Sequence, residues 1–184
     1  RDASPATGEQ VLLDVNKLAE GKPFYRVTAV EHSPDHKLLA YSADEKGSET
    51  HTIFVMNLAT GAVVDQAVEG TDGSIEWAND SQTFYYAVLD ENHRPSKIFR
   101  HKVGNAQAND ALVYQEKDPG FFVNIHKTES RRFLVINAHD HVTSEQWVIE
   151  ADDPDGAPRL LAAREANVEY HATHHGDRFY IDRK

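Results

Sequence analysis

A strand–turn–strand pattern that occurs four times is the feature that most limits the folds open to this chain of 184 residues. Each copy places a short polar turn between two apolar stretches, which is typical of an antiparallel hairpin. The turns are marked by Asp35, Asp80, Ser130 and Asp177, which lie 45, 50 and 47 residues apart. Because a four-stranded propeller blade takes about 40 to 50 residues, this period predicts an all-β fold, a partial β-propeller.

The first copy shows why the strands need neighbours. In its turn, Ser33-Pro34-Asp35, proline occupies the second position of a type I turn, and the flanking Ser and Asp can bond their own backbone. The stretch that follows, 38–41, is apolar on both alternating faces, so we expect it to be covered from two sides with Leu39 buried. An isolated hairpin would not provide that cover.

The chain divides at its turns and loops into a connector and a row of four-stranded antiparallel blades. We predict a connector with a short strand or helical turn over 1–23, blade one over 24–68, blade two over 69–118, blade three over 119–164, and an incomplete blade four over 165–184. In the connector, Asn16 is expected to cap a helical turn that Gly21 ends. The predicted strands of the three full blades are 24–31, 38–44, 50–58 and 63–67, then 74–77, 83–89, 97–102 and 111–115, then 121–127, 132–138, 145–150 and 159–163.

About three blades and a fraction do not make a closed propeller, which avoids exposed sheet edges by joining about four to eight blades in a ring. The sequence allows two ways in which the exposed sheet edges could be covered. Either the chain pairs with another copy, or further blades belong to a longer native chain. We favour the longer chain.

Composition limits the partners and the chemistry. The formal net charge of −11 argues against a nucleic-acid backbone or an anionic membrane surface as a partner; it either attracts cationic substrates or simply solvates the β surface. The sequence contains no cysteine, which excludes disulfides and thiolate catalysis, and no apolar stretch of the ~20 residues that a membrane helix needs. We expect a cytoplasmic location, with the periplasm as the alternative.

Two histidine groups suggest metal ligands but fit poorly. His139 and His141 lie two apart, yet no third ligand is identifiable, so a solvated loop at a strand end is the better interpretation. His171 and His174 are three apart and would point to opposite faces of a strand, which argues against joint ligation with His175. We therefore predict no metal site and no cofactor.

Three further groups have structural interpretations. The segment 152–156 does not fit the EF-hand template and predicts a β-turn. Core packing between blades is expected for the aromatic residues Trp77, Trp147, Phe84, Tyr85, Phe121 and Phe122. Glu116, Lys117 and Asp118 could line an entrance or form an ion pair with another domain, but an ordinary surface is the expectation.

A resemblance to a known family rests on five stretches of the sequence, in their order and spacing: 9–20, 33–41, 77–81, 84–86 and 126–128. With them the chain resembles the propeller of the prolyl oligopeptidase family of serine peptidases, in its oligopeptidase B (protease II) branch. The likeness spans nearly the whole chain. The segments Asn-Lys-Leu-Ala-Glu and Trp-Ala-Asn-Asp-Ser separate it from propellers in general.

The resemblance implies a parent enzyme in which a seven-bladed propeller caps an α/β-hydrolase domain and limits access to short peptides. In this branch cleavage follows Arg or Lys, and the catalytic triad lies in the hydrolase domain. The sequence has no Gly-x-Ser-x-Gly elbow, since Ile and Glu follow Gly73-Ser74, so no catalytic residue is assigned and the chain alone is expected to be inactive. Its expected partners are the missing hydrolase domain, the remaining blades and peptide substrates. The alternative is a non-enzymatic propeller that binds partner proteins.

Overall fold

The structure, a computed structural model, describes residues 8–65 and 67–184, which form one short helix and a series of antiparallel strands. The helix is α1 (Val15–Ala19), and a single 3₁₀ turn covers Gln107–Asn109. The strands are β1 (Arg26–His32), β2 (Leu38–Asp44), β3 (His51–Asn57), β4 (Val68–Thr71), β5 (Glu76–Trp77), β6 (Thr83–Leu89), β7 (Pro95–Lys102), β8 (Ala111–Gln115), β9 (Phe122–Lys127), β10 (Phe133–His139), β11 (Ser144–Glu150), β12 (Arg159–Ala162), β13 (Tyr170–His175) and β14 (Arg178–Arg183). No helix in the described ranges is long and apolar enough to cross a membrane.

Strand pairing confirms the predicted partial propeller. Strands β1 to β4 form an antiparallel meander, termed blade one. Strands β5 to β8 form blade two, which one bridge between Thr71 and Val88 joins to β4. Blade three is the separate sheet of β9 to β12, and β13 pairs with β14 alone. The exact division of the chain at 23, 68, 118 and 164 stays a prediction.

Two local predictions were wrong. The cap of α1 is Asp14, whose Oδ1 accepts the amide of Lys17 at 3.2 Å, because the helix begins two residues earlier than a cap at Asn16 would place it. The outer strand of blade one is β4 rather than 63–67, where the described residues form only a bridge between Val63 and Met56. The amide of Val64 still donates to Val55 O at 2.9 Å, and Asp65, which follows, has a buried side chain with its Oδ2 2.9 Å from His101 Nε2.

The hydrophobic core lies between neighbouring blades, and the alternation of side chains along each central strand divides it. In β6, Phe84 and Tyr86 pack towards blade one, whereas Tyr85 and Ala87 pack towards blade three. Every residue of β2 is buried, Leu39 at 3% exposure among them, which confirms the predicted cover on both faces. Each central strand therefore serves two interfaces.

The turns between the first and second strands of the blades share one conformation. In the first, Ser33 O accepts the amide of His36 at 2.9 Å. The predicted side-chain bonds to the backbone are present, since Ser33 Oγ accepts the amide of Leu38 at 3.0 Å and Asp35 Oδ1 accepts the amide of Lys37 at 3.1 Å. Positive φ values of 59°, 59° and 58° recur at His36, Ser81 and Arg131. Neighbouring turns are also joined, since the amide of Asp35 donates to Ser81 Oγ at 3.0 Å. The turns thus form a row along one face of the molecule.

Candidate functional site

A cavity of about 370 Å³ opens beside this row of turns, where the first strands of three blades converge. Strand β5 lies against both β1 and β9, so the ends of these strands meet. The lining residues are Glu31, His32, Pro34, Glu76, Trp77, Lys127, Thr128, Glu129 and Arg131. We term this the inner-strand cavity. It is the strongest candidate site because charged side chains from three blades surround one space.

Trp77 forms the apolar base of the inner-strand cavity. Its side chain is 2% exposed, its Nε1 donates to Glu31 O at 3.0 Å, and its ring meets Phe84 edge to face with the centroids 5.5 Å apart. The expected core role of Trp77 is confirmed. The same packing fixes a rigid surface below the charged residues.

Glu76 and Lys127 both line the cavity, and both are half-buried. The Lys127 amide donates to Glu76 Oε2 at 3.1 Å, and Lys127 Nζ donates to Asn79 Oδ1 at 3.1 Å. Burial raises the pKa of Glu76 although Lys127 opposes the shift. Burial likewise lowers the pKa of Lys127 although Glu76 opposes it. Each charge is therefore only partly compensated by the other.

The charges around the cavity are arranged by sign. Glu31 and Glu76 come from β1 and β5, whereas Lys127 and Arg131 come from β9 and the turn after it. Glu129 lies on that same turn. Within the described residues, none of these five side chains takes part in an ion pair of 4.0 Å or less, although ten such pairs occur elsewhere. The cavity thus has an acidic wall and a mainly basic wall, both unpaired.

A second charged group holds blades two and three together. The Glu116 side chain is 5% exposed, and its Oε2 lies 2.5 Å from Arg164 Nη2, which also lies 3.4 Å from Glu145 Oε1. The Arg164 guanidinium lies 4.0 Å from the centroid of Phe121. Burial acts to raise the pKa of Glu116, but Arg164 and backbone amides outweigh it and hold that pKa below its usual value. The expectation of an ordinary surface was therefore wrong for Glu116, while Lys117 and Asp118 are exposed.

The predicted loop at His139 to His141 is a turn at the end of β10. The Asp140 carboxylate accepts the amides of Val142 and Thr143 at 2.8 and 2.6 Å, and His139 Nδ1 lies 3.1 Å from Asp140 O. The carboxylate between the two histidines therefore stabilises the turn. In the part of the chain that the structure describes, no group of three or more His, Asp or Glu residues is placed to hold a metal ion.

His171 and His174 do point to opposite faces of β13, as predicted. His171 is exposed, whereas His174 is 4% exposed and packs between Phe133 and Phe179. The Nδ1 atom of His174 lies 2.8 Å from Ser130 Oγ in the neighbouring blade. This histidine is a packing residue between blades three and four, and His175 is exposed beside it.

The predicted turn at 152–156 is confirmed, and it also braces blade two. Gly156 N donates to Asp153 O at 3.0 Å, which closes the turn. Pro154 O accepts the Tyr85 hydroxyl at 2.9 Å, and Asp155 pairs with Arg100 at 3.1 Å. These partners lie in another blade, so the residues flanking the turn gave no signal of them.

The remaining aromatic predictions hold to different degrees. Phe84 and Tyr85 are fully buried, and Phe121 is 8% exposed. Trp147 is partly buried against the core between blades two and three, as expected. Phe122 is only half-buried, with the Arg94 guanidinium 5.0 Å from its centroid.

Comparison with known proteins decides the family. Residues 1–184 match the family model described as the prolyl oligopeptidase N-terminal β-propeller domain. The chain belongs to the prolyl oligopeptidase family. Membership in this family confirms the resemblance found in the sequence.

Relatives within the prolyl oligopeptidase family are similar over nearly the whole chain. Dipeptidyl aminopeptidase BI of Pseudoxanthomonas mexicana is 39% identical over 180 residues, which is 97% of this chain and 25% of that protein. Protease 2 of Moraxella lacunata is 32% identical over 94% of this chain and 25% of its own length. The structure of oligopeptidase B from Leishmania major superposes with a TM-score of 0.91 at 30% identity, over 99% of this chain and 26% of that one. The chain thus spans about a quarter of the length of these relatives.

Proposed function

We propose that this chain is part of the propeller of a serine oligopeptidase that hydrolyses short peptides after Arg or Lys. The observation that carries the proposal is the superposition of 99% of this chain on oligopeptidase B from Leishmania major, with a TM-score of 0.91, together with the match to the propeller model of the family. In this proposal the propeller restricts access to a hydrolase domain, and the 184-residue chain is inactive alone. The net charge of −11 supports attraction of basic peptides.

A second candidate activity is removal of dipeptides from a free amino terminus. It is favoured by one observation, the 39% identity to a protein named dipeptidyl aminopeptidase BI. The two activities differ in one requirement that an assay can isolate. A dipeptidyl aminopeptidase needs a free amino group on the substrate, whereas an oligopeptidase also accepts a blocked one.

The test uses the parent protein that contains this chain and two fluorogenic substrates that both carry Arg-Arg before the scissile bond. One substrate has a free amino terminus and the other is acetylated. Cleavage of both supports the oligopeptidase, and cleavage of the free form alone supports the dipeptidyl aminopeptidase. The control replaces Arg-Arg with Ala-Ala and is expected to react at least about 100-fold more slowly, since a site built to bind a basic side chain rejects a substrate that lacks one.

Failure of the parent protein to cleave any of these substrates would contradict the proposal. Turnover by the 184-residue chain alone, at a rate near that of the parent, would contradict its assignment as an inactive part. The parent sequence offers an independent check, because a peptidase requires a Gly-x-Ser-x-Gly elbow followed by Asp and His. A cytoplasmic location is proposed as well, and cell fractionation with an antibody to the chain tests it.

A further inference from the structure

We propose that the inner-strand cavity binds a short peptide with free ends, the amino group towards Glu31 and Glu76 and the carboxylate towards Lys127 and Arg131. The inference rests on the proposed function only in taking peptides as the ligands that reach the propeller. It assigns a binding site to residues that carry no role in the fold beyond the contacts described above.

The first argument is the unpaired charge. Glu76 and Lys127 are half-buried, and the backbone and Asn79 satisfy only part of their hydrogen-bonding capacity. Partly buried charges without an ion-pair partner destabilise a site unless water or a ligand compensates them. A ligand that is positive at one end and negative at the other would compensate both walls at once.

The second argument is the size and surface of the cavity. Its volume of about 370 Å³ falls within the range of roughly 300 to 1,000 Å³ that small-ligand sites occupy. Pro34, which is half-buried, supplies apolar surface against which a peptide backbone can lie, with the buried Trp77 beneath it. The backbone of the walls comes from the paired strands of three blades and the turns after β1 and β9, so little backbone entropy is lost on binding.

The net charge of the residues that line the cavity limits the class of ligand further. Three carboxylates, Glu31, Glu76 and Glu129, face two cations, Lys127 and Arg131. A dipolar peptide leaves one carboxylate uncompensated, and Glu129 lies two residues from Arg131, close to where the ligand carboxylate would bind. A basic side chain on the last residue of the peptide would therefore complete the balance. The expected ligand class is a short peptide that ends in Lys or Arg.

The test measures binding of three peptides to the parent protein by isothermal titration calorimetry: Gly-Gly-Lys with free ends, its N-acetyl form and its C-terminal amide. Dipeptide removal would cleave the free peptide and hydrolysis after lysine would cleave the amide, so the titrations use the parent protein with the serine of its Gly-x-Ser-x-Gly elbow replaced by alanine. We expect it to bind about tenfold more tightly than either blocked form, since each blocked end removes one charge-assisted contact.

Two variants test which residues of the cavity bind which end of the peptide. Glu76→Gln should make the free and N-acetyl peptides bind alike while the preference over the amide remains. Lys127→Met should make the free and amide peptides bind alike while the preference over the N-acetyl form remains. The matched controls Glu91→Gln and Lys117→Met change exposed residues outside the cavity and should leave all three affinities unchanged. If Lys127→Met does not fold, Arg131→Gln tests the same carboxylate contact.

Three results would overturn the inference. They are equal affinity for the three peptides, no binding at about 10 mM peptide, and affinities that none of the variants alters. Peptide hydrolysis is measured separately, on the unmodified parent protein. A parent protein that hydrolyses peptides but shows no such binding refutes the cavity assignment alone. One that binds as expected but hydrolyses nothing refutes the proposed function alone.

Discussion

The buried residue His101 shows how strongly a polar contact between blades contributes to stability. Its imidazole is fully buried in β7 and lies between two buried carboxylates. The Nδ1 atom is 2.7 Å from Asp110 Oδ1 and the Nε2 atom is 2.9 Å from Asp65 Oδ2. Asp65 belongs to blade one and His101 to blade two, so this triad joins the two blades. The Tyr86 hydroxyl donates to the other oxygen of Asp110 at 2.7 Å.

The expected cost follows from what the triad loses. Burial alone lowers the pKa of His101, but the hydrogen bonds that its imidazole makes to Asp110 and Asp65 outweigh burial and raise that pKa above its usual value. His101→Gln keeps much of the side-chain volume and removes the positive charge, which leaves two buried carboxylates facing a neutral group. Breaking a buried ion pair in this way destabilises proteins by about 3 to 5 kcal/mol. We expect a loss in the free energy of unfolding within that range.

The free energy of unfolding should also depend on pH in a way that is specific to His101. Because the folded-state pKa of His101 is raised, its contribution is complete below the unfolded-state pKa of about 6.5 and declines as the pH rises through the folded-state pKa. The wild-type chain should therefore lose stability above pH about 6.5, with a slope of up to about 1.4 kcal/mol per pH unit from this residue. His101→Gln should lack that part of the slope.

Urea denaturation followed by circular dichroism at several pH values between 6 and 9 measures both quantities. The matched control is Tyr86→Phe, which removes one hydrogen bond to Asp110 but keeps the charges; it should cost about 1 kcal/mol and keep the wild-type slope. A loss below about 1 kcal/mol for His101→Gln, or the same pH slope in the variant and the wild type, would refute the reasoning.

Three further predictions use the same denaturation assay. Leu39→Asp should prevent soluble folding, because a buried Leu contributes about 1.5 to 3 kcal/mol and a buried unpaired carboxylate costs more; normal expression and melting would contradict this. Gly73→Ala should destabilise more than Gly61→Ala, since both have positive φ but only the Cβ at Gly73 would lie 2.9 Å from the His51 ring; equal losses would contradict it. Arg164→Ala should cost about 1 to 3 kcal/mol near neutral pH and less once the pH falls below about 4.3, as Glu116, whose pKa Arg164 holds below its usual value, becomes protonated; a constant loss would contradict it.

The strands with the clearest local pattern could be predicted to the residue. The predicted bounds of β2, β6 and β8 match the structure, because each is a continuous or alternating apolar stretch between turn residues. The outer strand of blade one could not be placed. There Val63 and Val64 suggest a strand and do contact β3, but the outer strand itself is β4, and Asp65, between Val64 and β4, bonds to His101, 36 residues away. A local pattern carries no sign of such a partner.

The candidate site was missed for the same reason. Glu76 and Lys127 are 51 residues apart, and each looks like an ordinary surface charge in its own segment. The regular spacing of the turns along the sequence placed both residues near the end of the first strand of a blade. That spacing is the one signal from which their proximity could have been predicted. It did not show that the cavity between them is open, because the spacing between blades depends on side chains such as Trp77 and Tyr85 from the strands between.

The contacts that the sequence did not show are mostly polar, and they recur at each junction between blades. Asp65 and His101 join blades one and two, Tyr85 and Pro154 O join blades two and three, and Ser130 and His174 reach the strands that follow. Apolar packing between two sheets is non-directional and tolerates sliding, whereas a buried hydrogen bond is satisfied in only one register. We infer that these polar junctions set how each blade lies on the next. Since residues of three blades line the inner-strand cavity, its width depends on the same junctions, so His101→Gln is also expected to weaken peptide binding there without touching the cavity.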